Sequence, residues 1–148
     1  MSVDKNTKEA LLMPEKTHAE TEVPNSYPQV IKIRKHSLRT DVSESLGSTD
    51  SAPGAHDYFD AALAACKTLT STWYARKNQI PLERVEVDIE RDDAEERKGK
   101  YVLKVRLDFH GPMSQEQRQR LYNAVAACPI HKLMTTSDVV IETAPLEG

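Results

Sequence analysis

Asp57-Tyr58-Phe59-Asp60-Ala61-Ala62-Leu63-Ala64-Ala65-Cys66, continued through Lys67 to Trp73, is the stretch on which the fold of this chain turns. Phe59, Ala62, Cys66, Leu69 and Trp73 recur at spacings of three and four, which is one face of an α-helix. Asp57 is a good N-cap, and Asp60 adds negative charge to the first turn, where the helix dipole favours it. The spacing predicts a helix from Asp57 to about Asn78, where Pro81 marks the break. Ala61, Leu63 and Ala65 extend the small or apolar surface well around the cylinder. Such a helix wants cover on most sides. The reading therefore turns Cys66 inward and places Trp73 in the core.

On either side of this helix the hydrophobic period changes from 3.6 to 2. Upstream, Ile31 and Ile33 alternate with Lys32 and Arg34, and His36 to Asp41 is expected to return as a second strand. Ser43 to Ala55, rich in Ser, Gly, Asp and Pro, reads as a loop. Downstream, Val85, Val87 and Ile89 alternate with Glu86, Asp88 and Glu90. Tyr101, Leu103, Val105, Leu107 and Phe109 then alternate with Lys104, Arg106 and Asp108. These two segments read as a long antiparallel hairpin with a charged outer face. Ser114 and Gln117 form a capping-box signature for a second helix to about Ala127, with Leu121, Val125 and Cys128 inward. Pro129 suits the first position of a further short helix reaching Met134. Ser137 to Thr143 is expected to be a last strand, with Val139 and Ile141 on one side.

The order strand, strand, helix, strand, strand, helix, strand, with antiparallel pairs, gives an α+β fold of two inward-facing helices against one sheet. That leaves the first helix partly uncovered, and a second copy of the chain would cover it. Residues 1–28 carry Pro14, Pro24 and Pro28 with little periodicity and read as a polar N-terminal extension; residues 29–148 read as the domain proper.

Bulk properties narrow the function. The 148 residues suffice for one domain, and the formal charge of -3 comes from scattered rather than clustered groups. No basic stripe marks a nucleic-acid surface. No run reaches the roughly 18 apolar residues of a membrane span, and Ala10 to Met13 is too short for a signal-peptide core. The expected setting is the cytoplasm, without nucleic acid or membrane as partner. Two cysteines in a reducing compartment are thiols or a transient redox pair rather than a permanent staple.

Cys66 and Cys128 are thus either two inert core residues or one redox couple. A cysteine attacks as thiolate, which requires a cation, a helix N-terminus or a base nearby. Cys66 lies too far into its own helix for the N-terminal dipole, so the reading seeks a borrowed cation, with Arg34 and Arg39 of the first hairpin as candidates. His56 is either a plain loop or capping residue or a polar group at the mouth of a cysteine pocket. Cys128 and His131 make a C-x-x-H pair, but the spacing matches no standard zinc module, so no metal and no cofactor are expected.

Ala55-His56-Asp57-Tyr58-Phe59-Asp60-Ala61-Ala62-Leu63-Ala64-Ala65-Cys66, followed by Cys128-Pro129-Ile130-His131-Lys132, resembles the two signature segments of the OsmC/Ohr family. The resemblance runs in order from about residue 29 to 143. It implies an OsmC-like α+β fold, in which antiparallel sheets wrap two central helices in an intertwined homodimer with both cysteines in an interface pocket. It also implies a thiol-dependent hydroperoxide reductase acting in oxidative-stress defence. Cys66 would be peroxidatic, Cys128 resolving, and an external dithiol the reductant. His56 stands where the peroxidase branches place a glutamate, and Asp60 where the OsmC-like branch has an apolar residue. The family's arginine falls to Arg34 or Arg39. Within the family the alternative is a small-ligand-binding or stress-associated protein without turnover.

Overall fold

The computed structural model describes residues 16–147. The run of Ala10 to Met13 and the first 15 residues of the expected extension lie outside the described residues. The chain divides into two compact units, one ending at Tyr58 and the other beginning at Phe59.

The first unit is built on a three-stranded antiparallel sheet in the order β1 (Thr17–Thr21), β2 (Gln29–Ile33), β3 (His36–Thr40). The β2–β3 hairpin follows the expected alternation, and Ile31 pairs with Leu38. Arg34 adopts a left-handed φ of 53° in the tight turn between them. β1 is a strand that the side chains do not announce. Its five residues, Thr-His-Ala-Glu-Thr, are all exposed, and it is held by its ladder to β2. The stretch assigned to an extension therefore contributes a strand.

The loop after β3 is organised by one buried carboxylate. Asp41 accepts from its neighbour's N–H at Val42, from the Ser48 hydroxyl, and from both the N–H and hydroxyl of Ser51. Those bonds, led by Ser48 and the Ser51 N–H, hold Asp41 well below the usual carboxylate range.

Helix α1 (Ala55–Lys77) opens two residues earlier than its apolar pattern suggests. Asp57 is not the N-cap. Its carboxylate reaches back to the Gly54 N–H at 2.8 Å, the returning half of a capping box.

In the second unit, β4 (Arg84–Asp92) and β5 (Val102–His110) form the expected hairpin, with Val85 opposite Phe109 and Val87 opposite Leu107. Among the described residues the sheets are two, not one. Gly111 closes the end of β5 at a φ of 143°, and a Cβ there would stand 2.2 Å from the Pro81 carbonyl. Only glycine allows that approach. Ser114 and Gln117 complete the reciprocal capping box of α2 (Gln115–Val125). Pro129 opens the short α3 (Pro129–Thr135), whose N-cap is Cys128.

Ala75, Ile80, Phe109, Leu121 and Val125 form the core of this unit, flanked by Tyr74, Leu82, Leu107 and Tyr122. The face of α1 that is buried runs Leu63, Lys67, Ser71, Ala75. The expected face is the outer one: Phe59 is 46%, Leu69 69% and Trp73 59% exposed. Trp73 is therefore not a core residue: its ring lies outside with the Lys77 ammonium 5.0 Å from its centroid. Among the described residues the expected last strand does not form: residues 138–141 make no ladder there, and Val139, Val140 and Ile141 are all exposed.

Candidate active site

The two cysteines belong to the second unit and come together where α1 passes the α2–α3 junction. Both are free thiols; Cys128 is buried and Cys66 partly exposed. Each alters the other's ionisation: the Cys128 S–H favours the Cys66 thiolate and becomes harder to ionise in doing so. The Ile130 N–H, in the first turn of α3, donates to Cys66 Sγ at 3.4 Å. The Thr70 hydroxyl lies 3.8 Å from the same sulfur, one turn along α1.

These contacts separate the pair. Burial acts to raise Cys66, but the Ile130 N–H, Cys128, Thr70 and the charge of Lys67 outweigh it and hold the thiol below the ordinary cysteine range. Burial pushes Cys128 up, and the His131 N–H does not overcome it. That N–H acts on the Cys128 sulfur without closing a cap hydrogen bond. The more exposed sulfur is thus the more readily ionised one.

Lys67 is the residue that sequence reasoning overlooked. Its side chain is buried, 3% exposed, inside an Ala-rich helix. Nζ lies 2.6 Å from the Val125 carbonyl, 3.2 Å from the Ala126 carbonyl and 3.0 Å from His131 Nδ1. The carbonyls are those at the C-terminal end of α2, where unpaired acceptors and the negative end of the dipole favour a cation. Its charge acts on both thiols. A cation therefore comes from the residue next to Cys66, where the sequence reading looked for a borrowed one. Spacing gave a signal: Lys67 stands four residues from both Leu63 and Ser71 on the buried stripe. The α3 N-terminus was a second clue, since Pro129 at the first helical position makes Cys128 the N-cap.

The remaining sequence candidates belong to the first unit. Arg39 is clamped by Glu22, Nε to Oε2 at 2.7 Å and an Nη to Oε1 at 3.1 Å, and its carbonyl accepts from the Tyr58 hydroxyl. Arg34 sits in the β2–β3 turn, and His56 is exposed in the first turn of α1. Asp60, noted for its polarity, is satisfied in the second unit: Arg91 Nε and the Tyr101 hydroxyl each lie 2.7 Å from its carboxylate. Burial and that carboxylate push Tyr101 up to about 12.

A pocket of about 690 Å³ opens in the second unit between α1, β5 and the α2–α3 junction. Its walls include Phe59, Leu103, Val105 and Leu107, with Lys67 and His131 among the polar members; neither cysteine lines it. Cys128 and His131 take no part in a metal-ligand cluster among the described residues. The cluster with suitable spacing is Glu86, Asp108 and His110 on the charged face of the hairpin, and it is already tied by ion pairs to Arg84 and Arg118.

Comparison with known proteins bears on this arrangement. No curated protein matches the chain. Among solved structures, an OsmC-like protein from Mycoplasma pneumoniae superposes with a TM-score of 0.66 at 15% identity, over 84% of this chain and 89% of that one. An organic hydroperoxide resistance protein OsmC from Legionella pneumophila gives 0.56 at 20% identity, over 84% and 91%. The organic hydroperoxide resistance protein OhrB of Bacillus subtilis gives 0.56 at 18%, over 84% and 93%. At these identities the likeness speaks to the fold, which is α+β with antiparallel sheets. The family model described as OsmC-like protein matches residues 48–144, a span that contains α1, the β4–β5 hairpin and both cysteines. The chain belongs to the OsmC-like protein family.

Proposed function

We propose that the chain is a thiol-dependent hydroperoxide reductase, with organic hydroperoxides as preferred substrates, serving oxidative-stress defence in the cytoplasm. One observation carries the reading: the two thiols adjoin and are pushed in opposite directions, the partly exposed Cys66 toward thiolate and the buried Cys128 toward thiol. That division suits an attacking and a resolving cysteine.

The Cys66 thiolate attacks the terminal oxygen of the hydroperoxide, the O–O bond breaks, and the leaving alkoxide takes a proton to depart as alcohol. Cys66 is then a sulfenic acid. The Cys128 sulfur displaces its hydroxyl, which leaves as water with the Cys128 proton, and a disulfide forms. An external dithiol reduces that disulfide through a mixed disulfide and is itself oxidised. No metal or cofactor takes part. Arg34 or Arg39, as the family's arginine, and His56, as a polar group at the mouth of the cysteine pocket, are the further residues assigned to assist. The working unit is a homodimer, which would cover the outer face of α1.

Cys66→Ser is expected to abolish peroxide consumption. Cys128→Ser is expected to leave one turnover and stall cycling. Peroxide consumption by the double variant at the wild-type rate would end the reading. A second reading, a module that binds a small ligand without turnover, draws on the pocket whose walls include neither cysteine. Ligand binding with thiols inert to peroxide would favour it.

A further inference from the structure

We propose that Lys67 is a positioning residue for the cysteine pair: it pins the α2–α3 junction against α1 and locks His131 in the tautomer that carries its proton on Nε2. The role deepens the reductase reading and rests on it for its catalytic meaning. Both measurements below run without peroxide, so either can fail without the other.

The argument is one of donors and acceptors. An ammonium has three N–H donors and no acceptor. Lys67 Nζ has three partners at bonding distance, and two of them, the Val125 and Ala126 carbonyls, can only accept. The third, His131 Nδ1 at 3.0 Å, must then accept as well, which leaves that nitrogen bare and the ring proton on Nε2. A buried ammonium with all three protons directed at fixed acceptors is rigid, because giving up any one bond strands a charge away from water.

His131 and Ile130 share the first turn of α3, so fixing one fixes the other. The Ile130 N–H is the donor 3.4 Å from Cys66 Sγ. Lys67 thus acts on Cys66 along two routes: its charge, and the seat it gives the N–H that faces the thiolate. His131 also lines the pocket of the second unit. The titratable groups around Lys67 are Cys66 on its own helix, Cys128 and His131 from the junction, and Lys100 and Tyr101 across the pocket, the last tied to Asp60.

The test pairs a variant with a measurement that needs none. In reduced protein, the pH dependence of Cys66 alkylation by iodoacetamide reports its thiolate fraction. Lys67→Met is expected to move the midpoint upward and to slow alkylation about three- to tenfold at neutral pH. A folded Lys67→Met with an unmoved midpoint would show that Lys67 is structural only, and would overturn the proposal. Should the variant not fold, the wild-type protein decides through the ¹⁵N shifts of His131. A bare Nδ1 with the ring proton on Nε2 is the expected result. A protonated Nδ1 would mean that the ring donates to a neutral amine, and would overturn it.

Discussion

The two faces of α1 invert the usual arrangement. Its outer stripe carries Phe59, Leu69 and Trp73, all exposed, while its inner stripe buries Lys67 and Ser71 beside Leu63 and Ala75. Burial of the polar pair is tolerable because each is satisfied: Lys67 by two carbonyls and His131 Nδ1, and Ser71 by the Lys67 carbonyl one turn back at 2.7 Å. The inner face is therefore a polar device set in an apolar core. The outer face is an apolar surface of the kind that a partner covers. Hydrophobicity alone assigns the faces the wrong way round.

Substitutions can break this contrast, and the largest effect is expected on the inner stripe. Leu63 is 4% exposed, so Leu63→Ala should cost about 2–5 kcal/mol in denaturant unfolding. A loss below about 0.5 kcal/mol would mean that the inner stripe is not the packed one.

On the outer stripe, Leu69→Glu should shift the protein to monomer in sedimentation while helix content stays. An unchanged sedimentation coefficient would remove α1 from the proposed dimer interface.

Cys66 stands at the border between the stripes and should show it in its titration. In the reduced protein its alkylation should rise at lower pH than that of an ordinary cysteine, and Cys128 should react only at higher pH, as the opposite shifts require. Equal midpoints would erase the division of roles. Smallest of all, Thr70→Val should slow Cys66 alkylation by roughly twofold at neutral pH, through loss of one weak contact with the sulfur.

What could be read in advance was whatever rests on local pattern. The β4–β5 alternation gave the hairpin, in which the valines stand opposite Phe109 and Leu107, and Ser114 with Gln117 gave the capping box. Pro129 marked α3. What could not be read depends on partners distant in sequence. β1 has no apolar alternation and is held by its backbone ladder to β2, with one side-chain bond from Thr21 to Gln29. Val139 to Ile141 has strand-like residues but no ladder partner among the described residues, so the pattern goes unrealised. Lys67 reads as a surface charge until the carbonyls of Val125 and Ala126, nearly 60 residues away, arrive to receive it. The cysteine pairing was legible as a possibility, although Cys66 stands at the border of the buried stripe rather than on it. Its polarity was not, because that comes from the first turn of α3.

The central claim is that Cys66 and Cys128 form one redox couple, and thiol counting tests it most directly. Free thiols are titrated in the reduced protein before and after one equivalent of cumene hydroperoxide, then again after treatment with a dithiol. Loss of two thiols per chain, both restored by the dithiol, is the result this account predicts. Retention of both thiols after peroxide would contradict it.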